Sequence, residues 1–352
     1  MRTLMIMAGG TGGHVFPGLA VADHLRGLGW SVIWLGSRAG LEAKLVSARG
    51  YPMELIDFSG LRGKGFVAIA MLPLRLLRAF WQSLRAIDKH RPDVVLGLGG
   101  YVSFPGGVMA RLLGRPLVLH EQNSVAGLAN RVLAVVASRV LAAFPGALRK
   151  AQVVGNPVRR EIVASPPPDI RYGSRTGPLR LLVVGGSLGA KPINDVVPHA
   201  IALLPGESRP VVTHQAGAKH VEGLRSLYLE AGVTASAVPF IDDMASAYRD
   251  ADVVVCRAGA LTVSELSAAG VASVLIPYPF AVDDHQTGNA RHLADAGAAI
   301  LLSQQELTPE RLASLISGFT RDALSVMARK ARALAMPQAA EQVADVCMEL
   351  AR

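Results

Sequence analysis

His14 directly follows the glycine-rich run at 9–13 and precedes Val15-Phe16-Pro17. A neutral imidazole near pH 7 can take a proton from an attacking hydroxyl, so His14 is a candidate general base. A histidine that only hydrogen-bonds within its own turn explains the residue equally well. A second polar group, residues 120–123, ends an apolar run, and its carboxylate, Glu121, is the second candidate base. The ends of parallel strands are where open sheets bind ligands.

Two glycine-rich loops follow apolar segments in the two halves of the chain. They are LMIMAGGTGGH at 4–14 and LLVVGGSLGAK at 181–191, which form an approximate internal repeat. A helix that begins after such a loop offers backbone N–H groups and a partial positive charge to an anion. Glycines that merely permit tight turns explain either loop alone. A third loop at 99–103 makes a cleft lined by backbone donors the preferred interpretation.

Two common nucleotide motifs do not fit. Counted from Gly10, the dinucleotide fingerprint fails because its sixth position is Val15, and no acidic residue follows the second strand. Arg38 stands there and would suit a phosphorylated ribose, which keeps an NADP-dependent oxidoreductase as an alternative. The run 60–65 has the wrong spacing for a phosphate loop of the NTPase type.

The segment GALTVSE at 259–265 follows a predicted strand and allows two interpretations. Glu265 could accept hydrogen bonds from ribose hydroxyls, or Thr262 and Glu265 could form a helix capping box, which the spacing alone favours. Asp250-Ala251-Asp252 fits the acidic motif of metal-dependent sugar transferases, but it precedes an apolar strand. We therefore expect these acids to lie at the surface and predict no metal site.

Composition indicates a folded protein of two domains. The chain has 352 residues, 51% of them hydrophobic and 18% charged, with a net charge of +9 that favours an anionic partner. Aromatic residues are only 5%, so nucleic acid is not expected as a partner. Cys256 and Cys347 are too few for a disulfide framework, which indicates a cytoplasmic protein. We expect neither an export signal nor a membrane-spanning helix.

Short Val-, Ile- and Leu-rich runs alternate with amphipathic stretches, which predicts an α/β fold with parallel sheets buried on both faces. The predicted strands are 4–8, 32–35, 94–98, 117–120, 140–142, 181–184, 211–214, 253–256, 274–276 and 299–302. Residues 155–178, with three consecutive prolines, predict a linker and a domain boundary near residue 160. From about Leu324 onward we expect two helices interrupted at Pro337.

Most of the excess positive charge lies in one segment. Residues 62–91 contain seven basic residues and one acidic residue, a net charge of +6. A basic amphipathic helix is predicted over 66–89, with an apolar stripe beside a basic one. The apolar stripe is Leu74, Leu77, Trp81 and Leu84, and the other is Arg75, Arg78, Gln82 and Arg85. Such a helix can lie on an anionic membrane surface. A helix packed on the sheet is the alternative, and it does not explain the basic residues.

Seven segments together resemble the bacterial peptidoglycan N-acetylglucosaminyltransferases. They are MAGGTGGHVFPGLAVA at 7–22, SGLRGKG at 59–65, LGLGGYVSFPGG at 96–107, LHEQN at 119–123, VVGNPVR at 153–159, VVGGSLGA at 183–190 and CRAGALTVSE at 256–265. The resemblance implies a GT-B fold, with two Rossmann-like domains whose parallel sheets face a central cleft. The domains would be 1–159, with the C-terminal helix 337–352 packed back on it, and a donor-binding domain at 160–336.

The resemblance also implies the reaction. N-acetylglucosamine would move from UDP-N-acetylglucosamine to the C4 hydroxyl of the muramoyl sugar in lipid I, giving lipid II by inverting transfer. The lipid-linked MurNAc-pentapeptide would be the acceptor, with no cofactor and no essential metal. The protein would work as a peripheral protein at the cytoplasmic face of the cell inner membrane.

Site residues are implied by matching these motifs. Thr11, Gly12 and Gly13 would meet the donor, Asn123 and Arg159 would lie in the cleft, and Ser187 would touch the UDP phosphate. The backbone of Ile241 would read the uracil, and Gln286 would bind the donor sugar. Phosphate and ribose would be held by Ala260, Leu261, Thr262, Val263, Ser264 and Glu265. The family usually has Gln where this chain has Leu188 and His285, so those two contacts depart from the pattern.

Three other functions remain open on the sequence. A UDP-N-acetylglucosamine 2-epimerase would share the architecture and the donor but need no lipid acceptor. The NADP-dependent oxidoreductase rests only on the first glycine loop and Arg38. A non-catalytic nucleotide-sugar sensor would leave His14 unexplained.

Overall fold

The computed structural model describes residues 1–38, 40–58, 71–186 and 189–351. It divides into two compact units, Met1–Arg159 with Met336–Arg352, and Arg160–Ala335. Each unit contains one parallel sheet, so the predicted α/β fold class is confirmed. Within the described ranges, no helix is both long enough and apolar enough to cross a membrane.

Thirteen strands are found in the described part of the chain, seven in the first unit and six in the second. They are β1 (Thr3–Ala8), β2 (Ser31–Ser37), β3 (Met53–Ile56), β4 (Val94–Gly99), β5 (Leu117–Glu121), β6 (Arg139–Ala142), β7 (Gln152–Val153), β8 (Arg180–Val184), β9 (Val211–Gln215), β10 (Ala235–Val238), β11 (Val253–Cys256), β12 (Ala272–Leu275) and β13 (Ile300–Leu301). The ten predicted strands are all present, and the short strands β3, β7 and β10 were missed because their apolar runs are brief.

The helices of the described ranges follow the same alternation. They are α1 (Gly12–Gly27), α2 (Leu41–Ala48), α3 (Leu72–His90), α4 (Ser103–Leu112), α5 (Leu128–Leu133), α6 (Arg160–Val163), α7 (Pro168–Gly173), α8 (Lys191–Ala202), α9 (Val221–Glu230), α10 (Met244–Asp250), α11 (Ala260–Ala269), α12 (His285–Ala294), α13 (Pro309–Ser317), α14 (Arg321–Ala333) and α15 (Ala339–Leu350). Pro337 lies between α14 and α15, which confirms the predicted interruption.

The first sheet has the strand order β3-β2-β1-β4-β5-β6-β7. From β1 the chain adds strands first on one side, as β2 and β3, and then on the other, beginning with β4. Open α/β sheets bind ligands beside the carboxyl ends of the strands at such a switch point. Leu4 and Ile6 of β1 pack with α1 and α15 on one face of the sheet, while Met5 and Met7 pack with α3 and α4 on the other. The C-terminal helix is thus part of the first unit's core.

The second sheet has the order β10-β9-β8-β11-β12-β13, and its reversal point lies between β8 and β11. Every strand pair in it is parallel. The loops after β8 and β11 are the second glycine loop and the start of the segment GALTVSE. The fold therefore brings these two motifs of the second unit to one edge of its sheet.

The proline-rich segment after Arg159 is folded against the second unit and is not the irregular linker that the sequence predicts. The prolines at 166–168 lead into α7, because proline suits the first turn of a helix. Arg171 of α7 is 5% exposed, and its guanidinium donates hydrogen bonds to carbonyl oxygens of Tyr248 and Ala269 at 3.2 and 2.9 Å. These bonds hold the segment against the ends of α10 and α11.

Candidate active site

The first glycine loop presents the amino end of α1. Gly10 has a φ of +91°, which favours glycine, and Thr11 is extended immediately before the helix. Gly12 and Gly13 form the first turn, where backbone N–H groups have no partner within the helix. Thr11, Gly12 and Gly13 therefore lie where an anionic group can be held by backbone donors.

His14 is oriented by the loop that precedes it. Its Nδ1 atom lies 3.2 Å from the carbonyl oxygen of Gly9 and 3.5 Å from the hydroxyl of Thr11. A carbonyl oxygen only accepts hydrogen bonds, so Nδ1 carries the proton and Nε2 holds the lone pair of the neutral ring. The bond within the turn is thus present, and it selects the tautomer that a general base at Nε2 requires.

Gly99 makes room for the His14 ring. A Cβ atom at Gly99 would lie 3.1 Å from Nε2 of His14 and 3.6 Å from Nδ2 of Asn130, and the φ of Gly99 is +98°. Glycine is required by both the space and the backbone conformation. The side chains of His14 and Asn130 therefore both lie next to Gly99 at the end of β4.

Glu121 is surrounded by hydrogen-bond donors. Its Oε1 accepts from the backbone N–H and the side-chain amide of Asn123 at 2.9 and 3.2 Å. Its Oε2 accepts from the side-chain amide of Asn130 at 2.7 Å and from the N–H of Gly127 at 3.4 Å. Only 2% of the residue is exposed. This geometry favours a carboxylate that holds Asn123 and Asn130 in place over one that takes a proton from substrate.

The two neighbours of Glu121 form a separate buried network. His120 donates from Nε2 to the carbonyl oxygen of Gly155 at 2.8 Å, and its Nδ1 accepts from the amide of Gln122 at 3.0 Å. Burial lowers the pKa of His120 to about 4, so the ring is neutral near pH 7. The amide of Asn156 donates to the carbonyl of Gln122. These residues join the end of β5 to the segment that leads out of the first unit.

Arg159 lies against α1. The central carbon of its guanidinium is 5.2 Å from the centroid of the Phe16 ring, within the range of a cation–π contact. Phe16 is two residues beyond His14, so the contact places the positive charge of Arg159 on the helix that the first glycine loop begins. Arg159, Asn123, Thr11 and His14 all belong to the first unit.

In the second unit, Gln215 at the end of β9 fixes the second glycine loop. Its side-chain oxygen accepts from the N–H of Gly186 at 3.1 Å, while its amide donates to the carbonyl oxygens of Gly186 and Pro239 at 3.0 and 3.1 Å. Gln215 therefore connects this loop to the stretch that leads to the half-buried Ile241. The predicted phosphate ligand Ser187 and its neighbour Leu188 lie outside the described residues.

The segment 260–265 forms the start of α11. Gly259 is the extended residue before the helix, so Ala260, Leu261, Thr262 and Val263 make up its first turn. The capping-box interpretation is wrong, because Thr262 lies within the helix and does not precede it. Ser264 donates to the carbonyl of Ala260 at 3.1 Å. The N–H of Val263 donates to the carbonyl of Gly259 at 2.9 Å, and the preceding residues form the helix amino end, which favours anionic groups.

Glu265 is almost buried, with 5% of its surface exposed. Its Oε2 accepts from the hydroxyl of Tyr248 at 3.1 Å. Burial and the negative charge of Glu265 raise the pKa of the nearby Cys256 thiol to about 12. The carboxylate is therefore held from one side by a tyrosine, and Cys256 is an unreactive core residue.

Gln286 is the second residue of α12, and its side-chain oxygen accepts from the N–H of Tyr278 at 2.9 Å. The preceding His285 donates from Nδ1 to the carbonyl of Val282 at 2.7 Å. Asp283 and Asp284 between them have φ values of +52° and +49°. The His285 side chain therefore closes the turn that contains these two strained residues before α12.

Arg257 received no role from the sequence, although it lies in the motif CRAGALTVSE. Its guanidinium donates to the carbonyls of Ile276 and Pro277 at 3.2 and 3.1 Å and to Gln304 at 2.6 Å. It thus ties the loop after β11 to those after β12 and β13. A basic residue immediately after a buried strand was the available signal, but its partners are distant in sequence.

Of the two acids in Asp250-Ala251-Asp252, which precedes β11, only Asp250 lies at the surface. Asp252 is 0% exposed, and its Oδ2 accepts from the N–H of Arg180 at 2.9 Å. Arg175 and Arg321 pair with its two oxygens. The surface expectation is therefore wrong for Asp252, because two arginines compensate its buried charge. Among the described residues, no group of three or more His, Cys, Asp or Glu side chains is placed to hold a metal ion.

Sequence families match both units. The pattern of the glycosyltransferase family 28 N-terminal domain matches residues 4–142, and that of the C-terminal domain matches residues 180–345. The chain therefore belongs to glycosyltransferase family 28. Its two parallel α/β units define the GT-B class. A glycosyltransferase of kitacinnamycin with 19% identity and a TM-score of 0.72 over 99% of each chain shares this fold.

The particular relatives carry one name, UDP-N-acetylglucosamine–N-acetylmuramyl-(pentapeptide) pyrophosphoryl-undecaprenol N-acetylglucosamine transferase. The protein of that name from Cupriavidus pinatubonensis is 63% identical over 351 residues, covering 100% of this chain and 99% of the relative. The one from Burkholderia cenocepacia is 59% identical over 354 residues, covering 99% and 96%. The crystal structure of Acinetobacter baumannii MurG has a TM-score of 0.86 and 43% identity, covering 99% of this chain and 100% of that one.

Proposed function

We propose that this protein is an inverting glycosyltransferase that moves N-acetylglucosamine from UDP-N-acetylglucosamine to the C4 hydroxyl of MurNAc in lipid I, producing lipid II. The observation that carries the proposal is the 63% identity over the full chain to relatives named for a transfer between these substrates. The first glycine loop with His14 in the first unit, and the segment 260–265 at a helix start in the second unit, support the proposal. The 2-epimerase, the oxidoreductase and the sensor are less favoured, because the relatives are named for a transfer to a lipid-linked acceptor.

The acceptor hydroxyl is activated by His14 in this mechanism. Nε2 takes the proton of the C4 hydroxyl as the acceptor oxygen forms its bond to the anomeric carbon of the donor sugar. The bond between that carbon and the UDP oxygen breaks on the opposite face, so the configuration inverts in one displacement. The bond from Nδ1 to the carbonyl of Gly9, at 3.2 Å, stabilises the imidazolium that results. General-base catalysis of this kind contributes roughly 10²–10⁴-fold.

Glu121 is better assigned to positioning than to proton transfer. It accepts four hydrogen bonds, two of them from Asn123. We infer that it fixes the amide of Asn123 for contact with substrate and fixes Asn130 beside Gly99. Arg159 and the N–H groups of Thr11, Gly12 and Gly13 would supply positive potential to the diphosphate of a substrate.

UDP would be held by the second unit. The backbone of Ile241 would bind the uracil, Glu265 the ribose hydroxyls, and Gln286 the donor sugar. Ser187 and the first turn of α11, Ala260 to Val263 with Ser264 beyond it, would hold the pyrophosphate. The negative charge that develops on UDP as it leaves would be stabilised by these preorganised donors. No metal ion or cofactor is required in this scheme.

The first unit would contact an anionic membrane surface through α3. The small residues Ala79, Ser83 and Ala86 pack α3 inward. Leu77 and Trp81 are 65% and 56% exposed, so these two side chains face away from the core, whereas Ile87 is buried in it. α3 does pack on the sheet, as the alternative expects, but through Ala79, Ala86 and Ile87 and not through the predicted apolar stripe. Residues 66–70 of the predicted helix, and the basic Arg62 and Lys64, lie outside the described residues.

Positive charge accompanies this apolar surface. The guanidinium of Arg85 lies 4.5 Å from the centroid of the Trp81 ring, and Arg75 and Arg78 are exposed on the same helix. Leu128 and Val132 of α5 are further exposed apolar side chains of the first unit. An interface of this kind gains from apolar burial and from about 1 kcal/mol per basic residue near anionic lipid. We infer peripheral binding at the cytoplasmic face of the inner membrane, where a lipid-linked acceptor would be presented.

A single-turnover reaction tests the transfer. Enzyme in excess is mixed with radiolabelled UDP-N-acetylglucosamine and a soluble lipid I analogue, and labelled products are separated. We expect label in the disaccharide lipid and a β linkage by proton coupling constants, because the donor is an α-linked UDP sugar and the transfer inverts.

Two controls separate the alternatives. Incubation with donor alone should leave the sugar unchanged, whereas an epimer formed without acceptor would support the 2-epimerase. Calorimetry with UDP should show binding to the folded protein. A folded protein that gives no heat with UDP or with UDP-N-acetylglucosamine would contradict the proposed function altogether.

A further inference from the structure

Glu42 is a fully buried carboxylate that no motif identified. It lies in the first turn of α2, with 0% of its surface exposed. Its Oε2 accepts from the backbone N–H of Gly10 at 3.0 Å, and its Oε1 accepts from the N–H of Ser37 at 2.9 Å. The side chain therefore bridges the first glycine loop and the end of β2.

Three glycines form the space that Glu42 occupies. A Cβ atom at Gly9 would lie 2.5 Å from Oε1 of Glu42, and one at Gly36 would lie 2.9 Å from its Cγ. A Cβ at Gly40 would collide with the carboxylate itself. Since none of these three φ values lies in the left-handed region, it is the position of Glu42, not the backbone conformation, that demands glycine here.

The bond from Glu42 acts on the peptide group that orients His14. The N–H of Gly10 and the carbonyl of Gly9 belong to one planar peptide unit and point in opposite directions. Glu42 holds the N–H end at 3.0 Å, and Nδ1 of His14 lies 3.2 Å from the carbonyl end. A carboxylate at the N–H end also polarises the peptide, which strengthens the carbonyl as an acceptor.

We propose that Glu42 is a positioning residue that fixes the orientation and tautomer of His14 through the Gly9–Gly10 peptide. This rests on the proposed role of His14 as general base. With the peptide held, Nδ1 keeps its proton and Nε2 remains the unprotonated nitrogen that a general base requires. Without the carboxylate, the peptide is free to rotate, and the loop loses the acceptor that selects one tautomer.

The test is Glu42→Gln in the full-length protein. The amide has one acceptor oxygen, so either Gly10 or Ser37 loses its partner. We expect kcat to fall about 10–100-fold, by analogy with the loss of a residue that orients a metal-binding histidine. UDP affinity by calorimetry should stay within about twofold, because UDP is assigned to the second unit.

The tautomer is read directly by ¹⁵N NMR of histidine-labelled protein, with the His14 signals assigned by their loss in His14→Gln. Wild type should show a protonated Nδ1 and an unprotonated Nε2, and Glu42→Gln should show a mixture of tautomers. This readout does not depend on which sugar is transferred. A tautomer change without lipid II synthesis would retain the positioning role and overturn the proposed function.

Asp93→Asn is the matched control. Asp93 accepts from the N–H of Thr3 at 2.6 Å, at the opposite end of β1. It should lower thermal stability while leaving the His14 tautomer and kcat as in wild type. If Glu42→Gln fails to fold, Gly9→Ala provides a second variant, since its Cβ would displace the carboxylate from Gly10. Wild-type kcat and tautomer in a folded variant of either kind would overturn the proposal.

Discussion

The imidazole of His120 donates from Nε2 to the carbonyl oxygen of Gly155 at 2.8 Å, although the two residues lie 35 positions apart. This bond joins the end of β5 to the segment that leaves the first unit. The ring is completely buried, and burial lowers its pKa from 6.5 to about 4. In the second unit, burial likewise lowers the pKa of His214 to about 3. Each unit thus contains a buried histidine whose neutral form is favoured in the folded state.

We expect both units to lose stability as the pH falls below about 6.5. The unfolded chain binds a proton at these histidines below that pH, whereas the folded chain does not bind it until about pH 4 at His120 and about pH 3 at His214. Stability is therefore fully present above pH 6.5 and is lost down to the folded pKa. For His120 the loss amounts to about 3 kcal/mol, at about 1.4 kcal/mol per pKa unit.

Thermal unfolding followed from pH 8 to pH 4, with amide exchange to resolve the two units, measures this dependence. His120→Gln should be less stable at pH 7 but lose less stability on acidification of the first unit. His199→Gln serves as the control, because His199 is exposed. An unchanged pH dependence in His120→Gln would assign the acid sensitivity of that unit to other groups.

His14→Ala should fold and bind UDP-N-acetylglucosamine but lose most turnover. The loss of a general base lowers kcat by roughly 10²–10⁴-fold. Circular dichroism and calorimetry establish folding and donor binding, and a transfer assay gives kcat. Turnover close to that of wild type would remove His14 from the mechanism and leave its bond to Gly9 as a local feature of the turn.

Glu121→Gln should lower kcat by about 10²-fold because Asn123 and Asn130 lose an acceptor, and small displacements of positioned groups cost this much. If Glu121 only positions these residues, the acidic limb of the profile of kcat/KM against pH should persist, since His14 is still present. Profiles of wild type, Glu121→Gln and His14→Ala decide the matter. Disappearance of the limb in Glu121→Gln alone would make Glu121 the base.

Replacing Arg75, Arg78 and Arg85 together by Glu should abolish sedimentation with anionic vesicles and leave UDP affinity unchanged. The matched control replaces the exposed residues Arg311, Arg329 and Lys330 of the second unit by Glu. Both triple variants lower the net charge from +9 to +3, so only the position of the charge differs. Equal loss in the two variants would point to overall charge and not to α3.

The apolar residues of α3 provide a separate prediction. Leu77→Ser and Trp81→Ser should change the free energy of unfolding by less than about 0.5 kcal/mol each, because both side chains are exposed. They should nevertheless weaken vesicle binding, including at high salt, where the basic residues are screened. A large loss of stability would show that these side chains are packed in the folded protein.

The local order of residues was sufficient to predict much of this protein. Apolar runs identified ten of the thirteen strands in the described ranges, and glycines directly after them located the loops of both units. His14, Gly186 and the start of α11 were found because strand, loop and helix are adjacent in the chain. Hydrophobic periodicity and glycine positions depend only on near neighbours.

Side-chain partners were decided by the tertiary structure. Glu42 meets Gly10 across 32 residues, and Gln215 meets Gly186 across 29. The four hydrogen bonds to Glu121 include one from Asn130, nine residues further along the chain, and the buried Asp252 pairs with distant arginines. These bonds depend on which strands are neighbours in each sheet. Strand order is set by packing over the whole unit, so it cannot be predicted from the hydrophobic periodicity of a single segment.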